Sequence, residues 1–239
     1  NLRYIGEHDR WTGLYNRDYL ESLLLKDLQR QDGQKRALIS VNLSTVQLLT
    51  ANYGFHYTQN LIKSAAMSLD QFSNDNRVLC QTYGNRFVFY VIGYLDQAEL
   101  TDFCAAIAEH MQTVFATDRI SGGIGVLEVD GENQRLDTDS LLRKLLISSE
   151  RALTLAEKDF GVCFYNDELE AMVNREADIR QALTEVADGI PGDELYLQYQ
   201  PILDVRSRSI CGFEALARLK TRKLGLVLPV EFIPIEERT

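Results

Sequence analysis

The chain has 239 residues, 45% of them apolar and 25% charged: too long for one small domain, short for two full ones, and ordinary for a folded globular protein. A net charge of -10 argues against a nucleic-acid binder, which needs a basic face to track phosphates. No apolar run approaches the roughly 18 residues of a membrane span, no signal peptide opens the chain, and Asn1 in place of Met reads as the start of an excised piece.

Asn16 is placed to cap a helix running to about Gln29, and RALISVNL (36–43) reads as a strand. After Tyr57 a second helix sets Leu61, Ile62, Ala65, Ala66 and Leu69 on one face. QTYGNRFVFY (81–90) is a hairpin, with Gly84 and Asn85 in the turn and the apolar run 87–92 as a buried arm. Over 96–115, Leu100, Phe103, Cys104, Ile107, Met111, Val114 and Phe115 recur at helical spacing. Residues 120–129 contain three glycines and read as a strand whose backbone lies close to a neighbour. Asp137 or Asp139 starts another helix, with Leu142, Leu146, Ser149, Leu153 and Ala156 facing inward. Gly161 ends it, and VCFY (162–165) is the last strand of an α+β domain spanning 1–166.

Residues 167–192 differ in character. Leu169, Met172, Val173, Ile179, Leu183 and Val186 form a narrow apolar stripe among charges, which suits a connecting helix broken by Gly189, Pro191 and Gly192. Over 193–239, ELYLQYQPIL (194–203) and SICGFEALARL (209–219) read as two strands around a turn, and Pro229 opens a helix.

Isolated reactive residues offer little. Cys80, Cys104, Cys163 and Cys211 form no Cys-x-x-Cys pair and read as buried free thiols of a reducing cytosol, any membrane anchor lying upstream of Asn1. His8, His56 and His110 lack metal-ligand spacing. Asn16-Arg17 reads as a cap and a surface charge, and Tyr53-Gly54 as a turn. Arg86 either meets phosphate oxygens without a metal or is a solvated turn residue.

Several segments resemble a known pair of families. HDRWTGLYNRDYL (8–20), ANYGFHYTQNLI (51–62) and GGIGV (122–126) are similar to motifs of the GGDEF, or diguanylate cyclase, family. LQYQPIL (197–203), GFEALAR (212–218) and LPVEFIPIEE (228–237) resemble the opening of the EAL, or cyclic di-GMP phosphodiesterase, family. The resemblance implies a GGDEF-type α+β domain with a central, mostly antiparallel sheet, a connecting helix, and the first strands of a truncated β/α barrel.

By that resemblance the name-giving hairpin signature becomes Tyr83-Gly84-Asn85-Arg86-Phe87: a ring replaces the first glycine and no acid remains. The family's acids hold the Mg²⁺ that neutralises a triphosphate, and hard Mg²⁺ wants oxygen ligands. Its other metal-binding Asp falls on Asn42, its guanine-reading Asn on Thr50, and the assisting Asp on Gln59. The Lys that meets phosphates falls on Glu157, and the Arg-x-x-Asp product-inhibition site on residues 74–77, Asn-Asp-Asn-Arg. The first domain is thus expected to keep the fold, lose the cyclase chemistry and hold no metal, with GTP at the degenerate site as its one nucleotide partner.

The EAL motif residues are intact. The resemblance makes Glu214 a ligand of Mg²⁺ or Mn²⁺ in a complete EAL domain, with Arg218 on a substrate phosphate and Gln200 on the dinucleotide. Leu219 stands where an aromatic residue is common. Two strands cannot close a barrel, so this chain is not expected to hydrolyse cyclic di-GMP. The favoured reading is a catalytically inactive GGDEF module that regulates an adjoining phosphodiesterase. The alternatives are a non-catalytic cyclic di-GMP receptor and a residual cyclase. Leu195, Leu197, Ile202, Ile210, Phe213, Leu216 and Leu219 would line an open wall, expected to pack against a second copy or against the first domain.

Overall fold

Strand β2 (Arg36–Leu43) is buried along all eight residues because it has partners on both edges. It pairs antiparallel with β4 (Arg86–Ile92) on one side and with β5 (Gly122–Glu128) on the other. The computed structural model that shows this describes residues 2–44, 46–117, 120–131, 133–155 and 159–237. Strand β3 (Arg77–Tyr83) forms the expected hairpin with β4, while β1 (Tyr15–Asn16) adds parallel to β3 and β6 (Phe160–Phe164) parallel to β5. The order is β1-β3-β4-β2-β5-β6, a central and mostly antiparallel sheet.

Strand alternation sends successive side chains to opposite faces. Ile39, Val41, Phe87 and Phe89 meet α4 (Phe55–Asp70) and α5 (Gln97–Val114) through Ile62, Leu69, Phe103, Ile107 and Met111. Leu38, Val88 and Tyr90 meet α2 (Arg17–Asp27) and α6 (Thr138–Leu155) through Leu20, Leu24, Leu141 and Leu145. Burying each such side chain is worth about 1.5–3 kcal/mol. The caps are side-chain oxygens: Asn16 accepts from the Tyr19 N–H at the start of α2, and Asp96 from the Glu99 N–H at the start of α5.

Three expectations need correction. The inward stripe of α6 is Leu141, Leu145, Ser148, Ser149 and Ala152, turned from the leucine-based stripe; Leu142 and Leu146 are only half-buried, and Ala156 lies outside the described residues. The cause is in β5: a Cβ on Gly123 would stand 2.2 Å from the Ser149 carbonyl oxygen, and one on Gly125 2.5 Å from the Ser148 hydroxyl. Glycine lets α6 press its small residues onto the sheet. Second, Gly161 sits inside β6 instead of ending a helix. Third, an unanticipated helix, α3 (Val46–Tyr53), precedes α4, and Gly54 (φ 88°) turns between them.

Residues 1–166 and 167–239 form two compact units. In the second, α7 (Asp167–Ala187) packs with its own unit: Ile179 joins Leu219, Val227, Phe232 and Ile235 in a small core. Around that core run β7 (Glu194–Asp204), β8 (Ser209–Thr221), the short β9 (Gly225–Val227) and α8 (Pro229–Glu236). Arg175 grips Glu231 at 2.6 and 3.2 Å, and Lys223 meets Asp178 at 2.7 Å. Leu219 is therefore fully buried within the unit, contrary to its expected place on an open wall, whereas Leu197 and Phe213 stand 56% and 64% exposed. Among the described residues no helix is long and apolar enough to cross a membrane.

Candidate functional site

The tip of the β3–β4 hairpin meets the end of β2, and the register sets Asn42 opposite Arg86. Asn42 is 1% exposed, and both ends of its amide are hydrogen-bonded. Its Nδ2 donates to the Ser149 hydroxyl at 2.8 Å, and its Oδ1 accepts from the Ser40 hydroxyl at 2.7 Å. Asn85 is pinned in the turn: its Nδ2 donates to the Leu43 carbonyl at 2.8 Å, and its own carbonyl accepts from the Leu43 N–H at 3.0 Å. Gln81, buried beneath the turn, donates to the Gly84 carbonyl at 2.9 Å and accepts from the Thr12 hydroxyl at 2.6 Å. A carboxylate has no N–H and could make neither the Asn42 nor the Asn85 donation.

The expected site residues divide between two hollows, both of which are lined by the exposed Tyr83. Asn42 and Arg86 line a cleft of about 360 Å³ against α6, with Arg17, Thr82, Asp139 and Arg143. Thr50, Gln59, Gly84 and Asn85 line a second, more apolar hollow of about 540 Å³ between α3, α4 and the turn, with Leu48 and Phe55. Thr50 is occupied there, its hydroxyl donating to the Val46 carbonyl at 2.9 Å and lying 3.0 Å from the Thr58 hydroxyl.

Arg86 faces the first hollow, 3.6 Å from the Glu150 carboxylate and 5.9 Å from the Tyr83 ring centre. Phe87 turns into the core and is fully buried. Arg17, read from the sequence as a surface charge, pairs with Asp139 across the same cleft. No local sequence signal brings Arg17, Arg86 and Arg143 together; the tertiary fold does.

Arg77, the last of the four residues on which the resemblance puts an Arg-x-x-Asp site, lies over the Phe103 ring at 4.1 Å, and Asn74 exchanges backbone hydrogen bonds with it. Glu157 lies outside the described residues. Among the described residues no three His, Cys, Asp or Glu side chains cluster so as to hold a metal ion. Asn42 and Asn85 offer amide N–H donors and no carboxylate, a donor set that suits Mg²⁺ poorly.

In the second unit β7 and β8 set Gln200 opposite Glu214 and Tyr196 opposite Arg218. Glu214 and Arg218, four apart on one strand, share a face, as the alternation requires. Arg218 donates through Nε to the Gln198 side-chain oxygen at 2.9 Å and through Nη1 to the Ala217 carbonyl at 3.0 Å. Glu214 suits a hard divalent cation, but a single carboxylate is one ligand of the six such an ion takes.

The model of the family described as diguanylate cyclase, GGDEF domain, matches residues 6–158, and that of the EAL domain matches residues 178–239. An uncharacterized signaling protein of Caulobacter vibrioides is 26% identical over 241 residues, 99% of this chain and 29% of that protein. The bifunctional diguanylate cyclase/cyclic di-GMP phosphodiesterase MucR of Pseudomonas aeruginosa is 25% identical over 245 residues, 100% of this chain and 34% of its own length. The chain thus spans about a third of the length of these curated relatives. The S helix-GGDEF-EAL portion of Vibrio cholerae LapD, solved bound to c-di-GMP, matches with a TM-score of 0.60 at 15% identity, covering 99% of this chain and 54% of that one.

Proposed function

The chain belongs to the diguanylate cyclase GGDEF family and runs on into part of an EAL domain, and from that premise we propose that its first domain is a catalytically inactive regulatory module of a cyclic di-GMP signalling protein. The observation that carries this reading is the state of Asn42 and Asn85. Both sit where the family resemblance puts metal-binding acids, and both direct their amide N–H groups into structural hydrogen bonds. Without a metal at that place, phosphoryl transfer loses several kcal/mol of transition-state stabilisation, which is orders of magnitude in rate.

The second unit keeps Gln200, Glu214 and Arg218 together on adjoining strands. In the complete protein these residues hold a divalent cation and a cyclic dinucleotide, and the first domain modulates that activity, with GTP as its ligand. The exposed apolar side chains of β7 and β8 are covered there by the rest of an EAL domain, or by a second copy when this chain is alone.

The test is hydrolysis of cyclic di-GMP by the complete protein, with and without residues 1–166 and with and without GTP. A rate changed by GTP, with the change lost on deletion, supports the reading. Binding without hydrolysis would replace it with the receptor reading. A rate indifferent to both GTP and the deletion would contradict it.

A further inference from the structure

We infer that Gln198 is a positioning residue for Arg218, holding its guanidinium in the pose that takes a phosphate of the bound dinucleotide. Alternation on β7 sends Tyr196, Gln198 and Gln200 to one face, and the register lays them opposite Arg218, Leu216 and Glu214 of β8. On that face the Gln198 side-chain oxygen accepts from Arg218 Nε at 2.9 Å, along the diagonal between the two strands that long side chains can span. A second anchor, the Ala217 carbonyl, accepts from Nη1 at 3.0 Å. Bonds at two different nitrogens fix the plane of the group, which a single bond leaves free to turn. Among the described residues Nη2 has no hydrogen-bond partner, so its N–H groups stay available to a ligand.

The chemistry of the anchors matters as much as their place. Both oxygens are neutral, so Arg218 keeps its full charge for an anion; a carboxylate at position 198 would hold the group but cancel that charge. Among the described residues no ion pair joins Arg218 to an acid. Glu214, on the same face, stands about 13 Å back along the strand. An arginine already held still when the ligand arrives spares binding the cost of ordering a long side chain. Gln198 itself is exposed and lies outside the small core of its unit, so its replacement leaves that core intact. This inference rests on the cyclic dinucleotide reading above and adds to it the residue that sets the pose of the arginine.

The test is cyclic di-GMP binding by the complete protein carrying Gln198→Leu, Gln198→Glu, Arg218→Ala, or Gln198→Leu together with Arg218→Ala. Gln198→Leu should weaken binding about two- to tenfold, the value of ordering one long side chain. With Arg218→Ala already in place it should cost nothing further, because the two residues act as one unit. Gln198→Glu should also weaken binding and flatten its dependence on salt, since the charge that salt screens has been cancelled. A purely structural role for Gln198 would move neither the coupling nor the salt slope. A double variant weaker than Arg218→Ala alone would overturn the proposal and leave the dinucleotide reading standing. So would binding that Arg218→Ala weakens and Gln198→Leu does not. A complete protein that fails to bind cyclic di-GMP would overturn both.

Discussion

Asn42 on β2 and Ser149 on α6 are joined by a 2.8 Å hydrogen bond in which the amide donates and the hydroxyl accepts. The Ser149 hydroxyl in turn donates to the Leu146 carbonyl at 3.0 Å, so its proton is already committed. Asn42→Asp, which sets an acid where the family resemblance has one, removes this donor and buries a charge. The expected outcome is a loss of about 1–3 kcal/mol at neutral pH, the cost of a buried group left unpaired, shrinking as pH falls and the acid becomes neutral. Urea denaturation at two pH values measures it. An unchanged midpoint would show that the amide is dispensable.

Gly123 and Ser149 define how closely α6 lies on the sheet. Gly123→Ala places a methyl group 2.2 Å from the Ser149 carbonyl oxygen and 2.8 Å from the Leu153 side chain, where backbone must move. A loss of about 1–3 kcal/mol is expected, the usual cost of overpacking a tight contact. Gly131→Ala provides the comparison, since nothing lies within 4 Å of its added methyl and only its φ of +47° opposes the change. Equal losses at the two sites would mean that helix-to-sheet clearance is not what Gly123 provides.

A buried charge network gives the first domain an acid-sensitive element. Arg36, whose side chain is 3% exposed, donates to Asp27 at 2.7 Å and to both oxygens of Asp32 at 3.0 and 2.8 Å, while Tyr90 donates to Asp27 at 2.5 Å. Burial pushes the Asp27 carboxyl up, but the hydrogen bonds from Arg36 and Tyr90 together outweigh it and hold the pKa below its ordinary value. Asp32 is held at about 2, chiefly by Arg36. Both folded-state values are depressed, so their stabilisation is complete above the unfolded value near 4 and is lost as pH falls from there toward 2. Asp32→Asn should lower stability at pH 7 and flatten the acid loss. A wild-type acid slope in that variant would exclude Asp32 from the network's energetics.

Leu197 and Phe213 present exposed apolar surface on β7 and β8. This chain should self-associate with rising concentration, and Leu197→Lys with Phe213→Lys should return it to monomer, as read by sedimentation. A wild-type monomer at all concentrations would leave the strand faces without a partner of their own kind.

Much of this fold is legible in the sequence where one period dominates. The apolar run 87–92 of β4, the Asp96 cap with its helical stripe, and the Gly84-Asn85 turn each match the structure closely. The face of α6 is not legible, because its contact residues Ser148, Ser149 and Ala152 are small, and periodicity weighted by leucine points past them. β9 is only three residues long, and the final turn of β8 that it covers buries Leu219, a contact no local pattern encodes. The turn residues Tyr83 to Arg86 are plain in the letters, but their distribution over two hollows, with Arg86 turned toward α6, depends on strand register and tertiary packing.

The central proposal is that structural amides stand at the hairpin site where the family resemblance puts metal-binding acids, leaving it without cyclase activity. Incubating the purified chain with GTP and Mg²⁺, and in parallel with Mn²⁺, and assaying for cyclic di-GMP tests it most directly. No product above the enzyme-free control is the expected result. Product that disappears on Asn85→Ala or Arg86→Ala would contradict the claim, because it would place working chemistry at the turn where only Gly84, Asn85 and Arg86 stand.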